Sequence, residues 1–485
     1  MSLGQKALGG FVWTLASNLG LKAVTLVVGI VLARLLTPED FGLVAMLMVF
    51  FAVSQSLVNS GFTQALIRED KLTEKDKATA FSLNVLIAVV CYAILWWSAP
   101  AIADFFDNQL LIDLTRLMGL SIIFQSFTLV QRAQLTHGLK FKKLMIVSLL
   151  ASLITGIIGV VLALQGYGVW ALAIKYVALS VITSLLLYVI NPWFPKYFIS
   201  KDSFKRLFGF GSKLFASGLL DTFYQNIYKL IIGKFFMAST LGLFTQARMF
   251  VDQVTLSATS TLQTVTYPIL SKTKNDPERL KRAYQKIIMA SSFVIFPLTM
   301  GLAVLAKPFI LTLVGEKWID AVPFIQILCF SGALYHLHSI NLNVLKVMGR
   351  SDLFLKLEII KKVNITIAVI IGIQFGIWGL LLGSVISSYI ALFINMHYTQ
   401  RFINYSYKEQ FKDLLPIVFQ SLPMLIGVAA FVYLTDLANG LTLIIGVLLG
   451  IFLYLIVTYT IKSQALIYIV ELLSEKFPKL KKLKL

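Results

Sequence analysis

Long apolar runs separated by short polar gaps fill this chain. Fourteen can be marked, at about 11–33, 42–66, 80–99, 115–135, 145–164, 169–190, 214–233, 242–270, 287–306, 322–345, 359–374, 377–398, 414–434 and 440–461. About 20 apolar residues, as a helix, cross roughly 30 Å of hydrocarbon. In lipid a segment must satisfy its own backbone hydrogen bonds, which a helix does internally. The pattern therefore predicts an all-α, polytopic membrane protein with about fourteen transmembrane helices. The runs use well over half of the 485 residues, so no large soluble domain fits.

Charge orients the helices. Of 43 Lys and Arg, about 33 fall in every second gap, about five in the alternate gaps and about five inside the runs. The basic gaps include 68–77, 140–143, 196–213, 272–286, 346–362 and 401–412, and the tail KFPKLKKLKL joins them. Basic loops resist translocation, so these gaps share the cytoplasmic side. Both termini are expected there, which requires an even number of spans. The opposite gaps are short or acidic, one with Asp104, Asp107 and Asp113 and another only Gln165 to Gly168. The first helix is too long for a cleaved signal peptide and is expected to be retained.

Composition agrees: hydrophobic residues make up 58% of the chain and charged ones 14%, against about 25% charged in soluble domains. The net charge of +20 does not indicate nucleic acid, because it is spread over short loops beside apolar spans. Anionic headgroups and topogenesis account for it. Cys91 and Cys329 both lie in apolar runs, which predicts structural roles and neither a disulfide framework nor a metal site.

The chain also repeats itself. Leu15-Ala16-Ser17 matches Phe215-Ala216-Ser217, and Phe41-Gly42-Leu43 matches Leu241-Gly242-Leu243, both at a shift of 200. Gly168-Val169-Trp170-Ala171-Leu172 matches Gly376-Ile377-Trp378-Gly379-Leu380 at a shift of 208. Six spans followed by six keep the same sidedness, so the halves are parallel repeats about an axis along the membrane normal. The expected organisation is two pseudo-symmetric six-helix lobes around a central cavity, at 1–191 and 214–398. A cytoplasmic linker at 192–213 joins them, 399–462 adds two helices, and 463–485 is a basic tail. Within the linker, SKDSFKRLF reads as a short in-plane amphipathic helix capped by Ser200, or as an ordinary basic loop.

Charges inside spans cost about 2.5–3.5 kcal/mol on insertion scales and face cavities or partners. Lys22, Arg132, Lys175, Lys229 and Arg248 lie in spans, against Asp221 and Asp252. The surplus is positive, as a cleft for a phosphate or acidic sugar requires. Arg248 and Asp252 are four apart and can pair on one helical face. Asp221 and Lys229 share a face with Tyr224, Gln225 and Tyr228 nearby, and Asn18 with Lys22 and Gln55 with Asn59 repeat a spacing of four. Such amides and phenols suit sugar hydroxyls. These residues form the candidate substrate site, and Asp221, Asp252 and His336 are candidates for ion coupling. His336 and His338 are two apart, a spacing that splays them on a helix and speaks against a metal site. No phosphate loop or HExxH, CxxC or GxSxG motif occurs; GFGSKLFASG is not preceded by a strand. An enzyme is not expected, nor is a cofactor.

ARLLTPEDFGLVAM at 33–46 resembles the first loop of bacterial polysaccharide-repeat-unit flippases, in the multidrug, oligosaccharidyl-lipid and polysaccharide exporter superfamily. LIIGKFFMASTLGLFTQARMF and VTYPILSK resemble the same family, and the similarity spans nearly the whole chain. The resemblance implies fourteen helices and movement of an undecaprenyl-pyrophosphate-linked oligosaccharide across the bacterial inner membrane. It also implies partners in membrane lipids, a polysaccharide polymerase and glycosyltransferases. Family members commonly carry an acidic residue just before the LIIG-like stretch; Tyr228 and Lys229 stand there instead. A lipid II or teichoic-precursor flippase shares the anionic lipid headgroup and is the alternative. A multidrug extruder of the superfamily would need buried carboxylates in excess, and a scaffold for glycosyltransferases would need only the basic loops.

Overall fold

The computed structural model describes residues 20–59, 66, 73–196 and 199–476. These form helices, with no strand among the described residues. In order they are α1 (20–35), α2 (Pro38–Asn59), α3 (Glu74–Phe106), α4 (Leu110–Ser126), α5 (Leu129–His137), α6 (Phe141–Leu164), α7 (Val169–Ile190), α8 (Lys201–Phe235) and α9 (Ala238–Thr273). There follow α10 (Pro277–Val304), α11 (Ala306–Leu313), α12 (Ala321–Gly332), α13 (Tyr335–Val347), α14 (Ser351–Ile373), α15 (Gly376–Ile403), α16 (Tyr407–Leu434), α17 (Asn439–Thr460) and α18 (Gln464–Lys476). Within the described residues the apolar runs coincide with helix. The fourth run is divided between α4 and α5, and the tenth between α12 and α13. Nine segments among the described residues are long and apolar enough to cross a membrane, or ten if the bent pair α4 and α5 counts as one span. The protein is a multi-pass, all-α membrane protein. The repeat match at 15–17, Asn18, Arg68, Lys71 and the end of the tail lie outside the described residues.

Local chemistry sets the helix ends. Thr73 and Asp76 form a reciprocal capping box at the start of α3, as Ser406 and Glu409 do for α16; each satisfies orphan N–H groups. Asp276 accepts from the Arg279 N–H ahead of Pro277, the position where proline's missing donor costs nothing.

The linker expectation needs correction. Residues 201–213 are the first turns of the 35-residue α8, not a separate in-plane helix. No proline interrupts 201–235, so nothing in the backbone stops the helix before the apolar run. Ser200 stands at the N-cap without a side-chain cap bond; its N–H donates to Thr79 Oγ1 at 2.9 Å. The first turn of α8 is held by buried Asp76, which accepts from Ser203 Oγ at 2.7 Å and pairs with Arg206.

Two compact units divide the chain at Thr245 and Gln246. In the first, α3 pairs with α4, α7 lies against α4 and α6, and α2 lies along α8. Here the repeat becomes a two-way contact. A Cβ on Gly42 would stand 1.7 Å from the Ala238 carbonyl oxygen, and one on Gly242 would stand 1.8 Å from that of Pro38. Positions 38 and 238, like 42 and 242, are equivalent in the repeat, so the contact is reciprocal, as a local twofold requires.

In the second unit, α10 packs on α16, α16 on α17, and α18 returns along α10. Helices α14 and α15 form a close hairpin on small residues four apart. A Cβ on Gly379 would stand 2.2 Å from Gly372 O, and one on Gly383 would stand 3.0 Å from Ala368 O. One step further along, Asn364 Nδ2 donates to Ser387 O at 2.9 Å and Oγ at 2.8 Å. Small residues at this spacing let membrane helices approach closely.

Candidate functional site

The candidate residues of the first unit cluster on α8 and its neighbours. Asp221, Tyr224, Gln225, Tyr228 and Lys229 fall at i, i+3, i+4, i+7 and i+8 of a continuous helix, so they form one stripe. Gln225 is exposed and the other four are half-buried. Lys229 Nζ donates to Asn226 Oδ1 at 3.1 Å, and Asn226 Nδ2 to Thr222 O at 2.9 Å. Gly218 lies beside Ser56 and Gly233 beside Met46, so α2 and α8 run antiparallel. That register brings Gln55 within about a turn of the level of Asp221. Gln55 is half-buried, and its Nε2 has no hydrogen-bond partner. Asn59 closes α2, but its side chain lies outside the described residues.

Lys175 is placed by a glycine. A Cβ on Gly159 of α6 would stand 3.0 Å from Lys175 Cδ and 3.3 Å from its Cβ and Cγ. The lysine stem thus runs across the bare backbone of α6, with apolar carbons buried and an amine carried beyond them. Tyr176, the next residue, bonds Ser121 on α4 and meets the ring of Phe51 on α2, fixing the pitch of α7 here. Lys22 is half-buried on α1, which contacts α6 through Gly20 on Leu149 and Val28 on Gly156. Arg132 is exposed on α5.

In the second unit Arg248 Nε bonds both carboxylate oxygens of Asp252, at 3.1 and 3.2 Å. The i, i+4 spacing therefore produces a neutralised pair, within electrostatic reach of Tyr335. His336 is wholly buried and bonds Ser292 Oγ at 2.8 Å. No group of three or more metal-ligating side chains occurs among the described residues.

Three features escape the sequence pattern. Arg116 lies within α4 at the edge of an apolar run, its guanidinium over the Trp96 ring at 4.7 Å. Lys361 is paired with Glu358 inside α14 rather than free in a basic gap. His338 touches Ser388 and Asn395, which are 50 and 57 residues away. A helix spacing of three or four could flag the second feature, but no local signal marks the third.

A family model described as polysaccharide biosynthesis protein matches residues 31–323, more than half of the chain. The chain belongs to that family. The teichuronic acid biosynthesis protein TuaB of Bacillus subtilis (strain 168) is 25% identical to this polysaccharide biosynthesis protein, over 73% of each chain. The lipopolysaccharide biosynthesis protein WzxC of Escherichia coli (strain K12) is 23% identical over 88% of this chain and 87% of its own. Among solved structures, the lipid II flippase MurJ in an inward closed conformation matches with a TM-score of 0.76 at 18% identity, covering 94% of this chain and 100% of that one. A multidrug resistance MATE family transporter of the MOP superfamily, inward-facing, matches with a TM-score of 0.62 at 17% identity, over 79% of this chain and 94% of that one. These two likenesses concern the fold.

Proposed function

We propose that this chain moves a polyprenyl-pyrophosphate-linked oligosaccharide, undecaprenyl in bacteria, from the cytoplasmic to the opposite leaflet of the inner membrane. The product feeds exopolysaccharide, capsule or O-antigen synthesis. Membership in a polysaccharide biosynthesis family and the names of its relatives support the sugar cargo. One observation carries the charge of that cargo. Inside the spans five cations, Lys22, Arg132, Lys175, Lys229 and Arg248, stand against two acids, Asp221 and Asp252. A surplus of cations at bilayer depth attracts a phosphate.

In this reading the chain crosses the membrane fourteen times with both termini cytoplasmic, and the two six-helix lobes rock against each other. The Lys22, Lys175 and Lys229 amines offset the pyrophosphate. Arg132 receives it near the basic-loop side, and Asn18, Gln55, Asn59, Tyr224, Gln225 and Tyr228 bond sugar hydroxyls. The prenyl tail stays in lipid. Asp221, Asp252 and His336 remain candidates for ion coupling. Glycosyltransferases would load the carrier on one side and a polymerase would draw from it on the other. A lipid-linked cell-wall precursor is the second reading, favoured because the same cations fit its headgroup. A cation extruder would require the opposite charge balance.

The test is deletion of the gene, followed by identification of the lipid-linked sugar that builds up in the inner leaflet. A pyrophosphate-linked repeat unit supports the proposal. A cell-wall precursor shifts it to the second reading. No accumulated lipid removes it.

A further inference from the structure

The two histidines of α13 differ in what their neighbours can do. His336 is sealed in the core against Ser292, whereas His338, one position past its neighbour Leu337, is half-buried and bonded at both ring nitrogens. His338 Nε2 lies 3.1 Å from Ser388 Oγ, and Nδ1 lies 3.0 Å from Asn395 Nδ2, both partners on α15. Asn395 is itself buried, and its Oδ1 has no hydrogen-bond partner. A buried amide oxygen left unpaired costs about 1–3 kcal/mol, so this one invites a donor.

Both partners of His338 can reverse their roles. A hydroxyl donates or accepts by rotation, and an amide exchanges acceptor for donor by turning over. With neutral imidazole, Nε2–H donates to Ser388 Oγ and Nδ1 accepts from Asn395 Nδ2–H. When a proton from water binds Nδ1, the Asn395 amide turns, and its idle Oδ1 accepts the new N–H. Ser388 Oγ continues to accept from Nε2–H. The charged ring then has a partner on each side, and the turn carries the Asn395 amide nitrogen to the place its oxygen held.

The other groups around the site are identifiable. Helix α14 brings Lys361, within electrostatic reach of His338 and paired with Glu358. Helix α10 brings Ser292, bonded to His336, and Tyr284, whose OH donates to Asn341 Oδ1 at 2.9 Å. Helix α9 brings Arg248 and Asp252 within electrostatic reach of Tyr335, three residues before His338. Ser388 follows Ser387, which accepts from Asn364 at the end of the small-residue seam. The site therefore sits where the α14–α15 hairpin passes from tight backbone contact to polar contact.

We propose that His338, with Asn395 as its turning partner, is a proton-binding site that couples a proton to the export cycle. This rests on the transport reading above. The test uses the full-length protein in lipid nanodiscs, labelled with ¹⁵N-histidine. The chain has 4 histidines, so their signals can be assigned by single substitutions. Between about pH 4.5 and 8.5, where imidazoles titrate, one span resonance should move, and it should be missing in His338→Asn. In Asn395→Leu its midpoint should fall by about one pH unit, because the acceptor for the new N–H is gone. A His338 ring that keeps one state over the range overturns the proposal, as does an unmoved midpoint in Asn395→Leu.

Export is read alongside, with the proton gradient intact or collapsed. His338→Gln, a second variant kept in case His338→Asn is poorly folded, should lose at least about tenfold of the gradient response. A full response in either folded variant overturns coupling. Failure to find any lipid-linked sugar in the deletion strain would instead remove the cargo reading, and the titration would still decide for or against the proton site.

Discussion

The hairpins α6–α7 and α14–α15 occupy equivalent places in the repeat and have been put to different uses. Both turn on a left-handed glycine, Gly168 at φ +53° and Gly376 at φ +69°. Both keep a tryptophan two residues later, Trp170 and Trp378. Further along, Lys175 and Gly383 are equivalent at the shift of 208. In the second hairpin Gly383 lies on Ala368 and the helices close on each other. In the first, a lysine stem lies in that place, and Gly159 opposite has no side chain to obstruct it. The difference shows how one duplicated frame yields a sealed seam in one copy and a carried charge in the other. The second hairpin's unit also holds the Arg248–Asp252 and Lys361–Glu358 pairs.

The largest effect should come from breaking the sealed copy. In Gly379→Leu the new Cβ meets a backbone oxygen that no rotamer change can move. The cost should exceed the ~1–3 kcal/mol usual for an overfilled core. Size-exclusion chromatography of the detergent-extracted protein should show little monodisperse material. Next is Lys175→Ala, which should leave the amount of folded protein unchanged and reduce export about tenfold or more. That is the loss of a charge-assisted contact worth ~1.5–3 kcal/mol. Lys175→Met keeps the stem and should fail equally, separating charge from packing.

A smaller effect is expected of Gly159→Leu, which retains the amine but displaces its stem. Export should fall by a few fold, and the loss should vanish in the Lys175→Ala background, because the two changes act through one contact. Smallest of all is Asp352→Asn, at the foot of the second hairpin. The Arg350 guanidinium holds the Asp352 carboxyl down to about 2. A depressed carboxylate stabilises above its unfolded pKa of about 4 and loses that contribution as pH falls toward 2. Export in the variant should keep the wild-type profile from about pH 5 to 8, measured side by side.

Much of this architecture is legible in the sequence, for definite reasons. A helix must be about 20 apolar residues long to cross a bilayer, so spacing alone locates the spans. The Arg248–Asp252 pair follows from a spacing of four on one helix. The duplication is visible at Gly42 and Gly242 because backbone contact tolerates no other residue there. What could not be read depends on contacts between helices. Gly159 is one apolar position among many until Lys175 is laid across it. His338 looks like its neighbour His336 until α15 places Ser388 and Asn395 against it. The linker misleads for a different reason: its amphipathic pattern is real, but nothing stops the helix, so α8 runs from the basic stretch straight into the apolar run at 214–233.

The cationic residues of the first unit are the centre of the account, and transbilayer movement is their direct test. The full-length protein is reconstituted in vesicles with a polyprenyl-pyrophosphate-linked oligosaccharide, and a glycosidase added outside reports the fraction of sugar exposed there. Wild-type protein should expose the inner-leaflet pool, and the correctly inserted Lys22→Ala, Lys175→Ala, Lys229→Ala triple variant should leave it protected. Exposure by the triple variant at the wild-type rate would contradict the account.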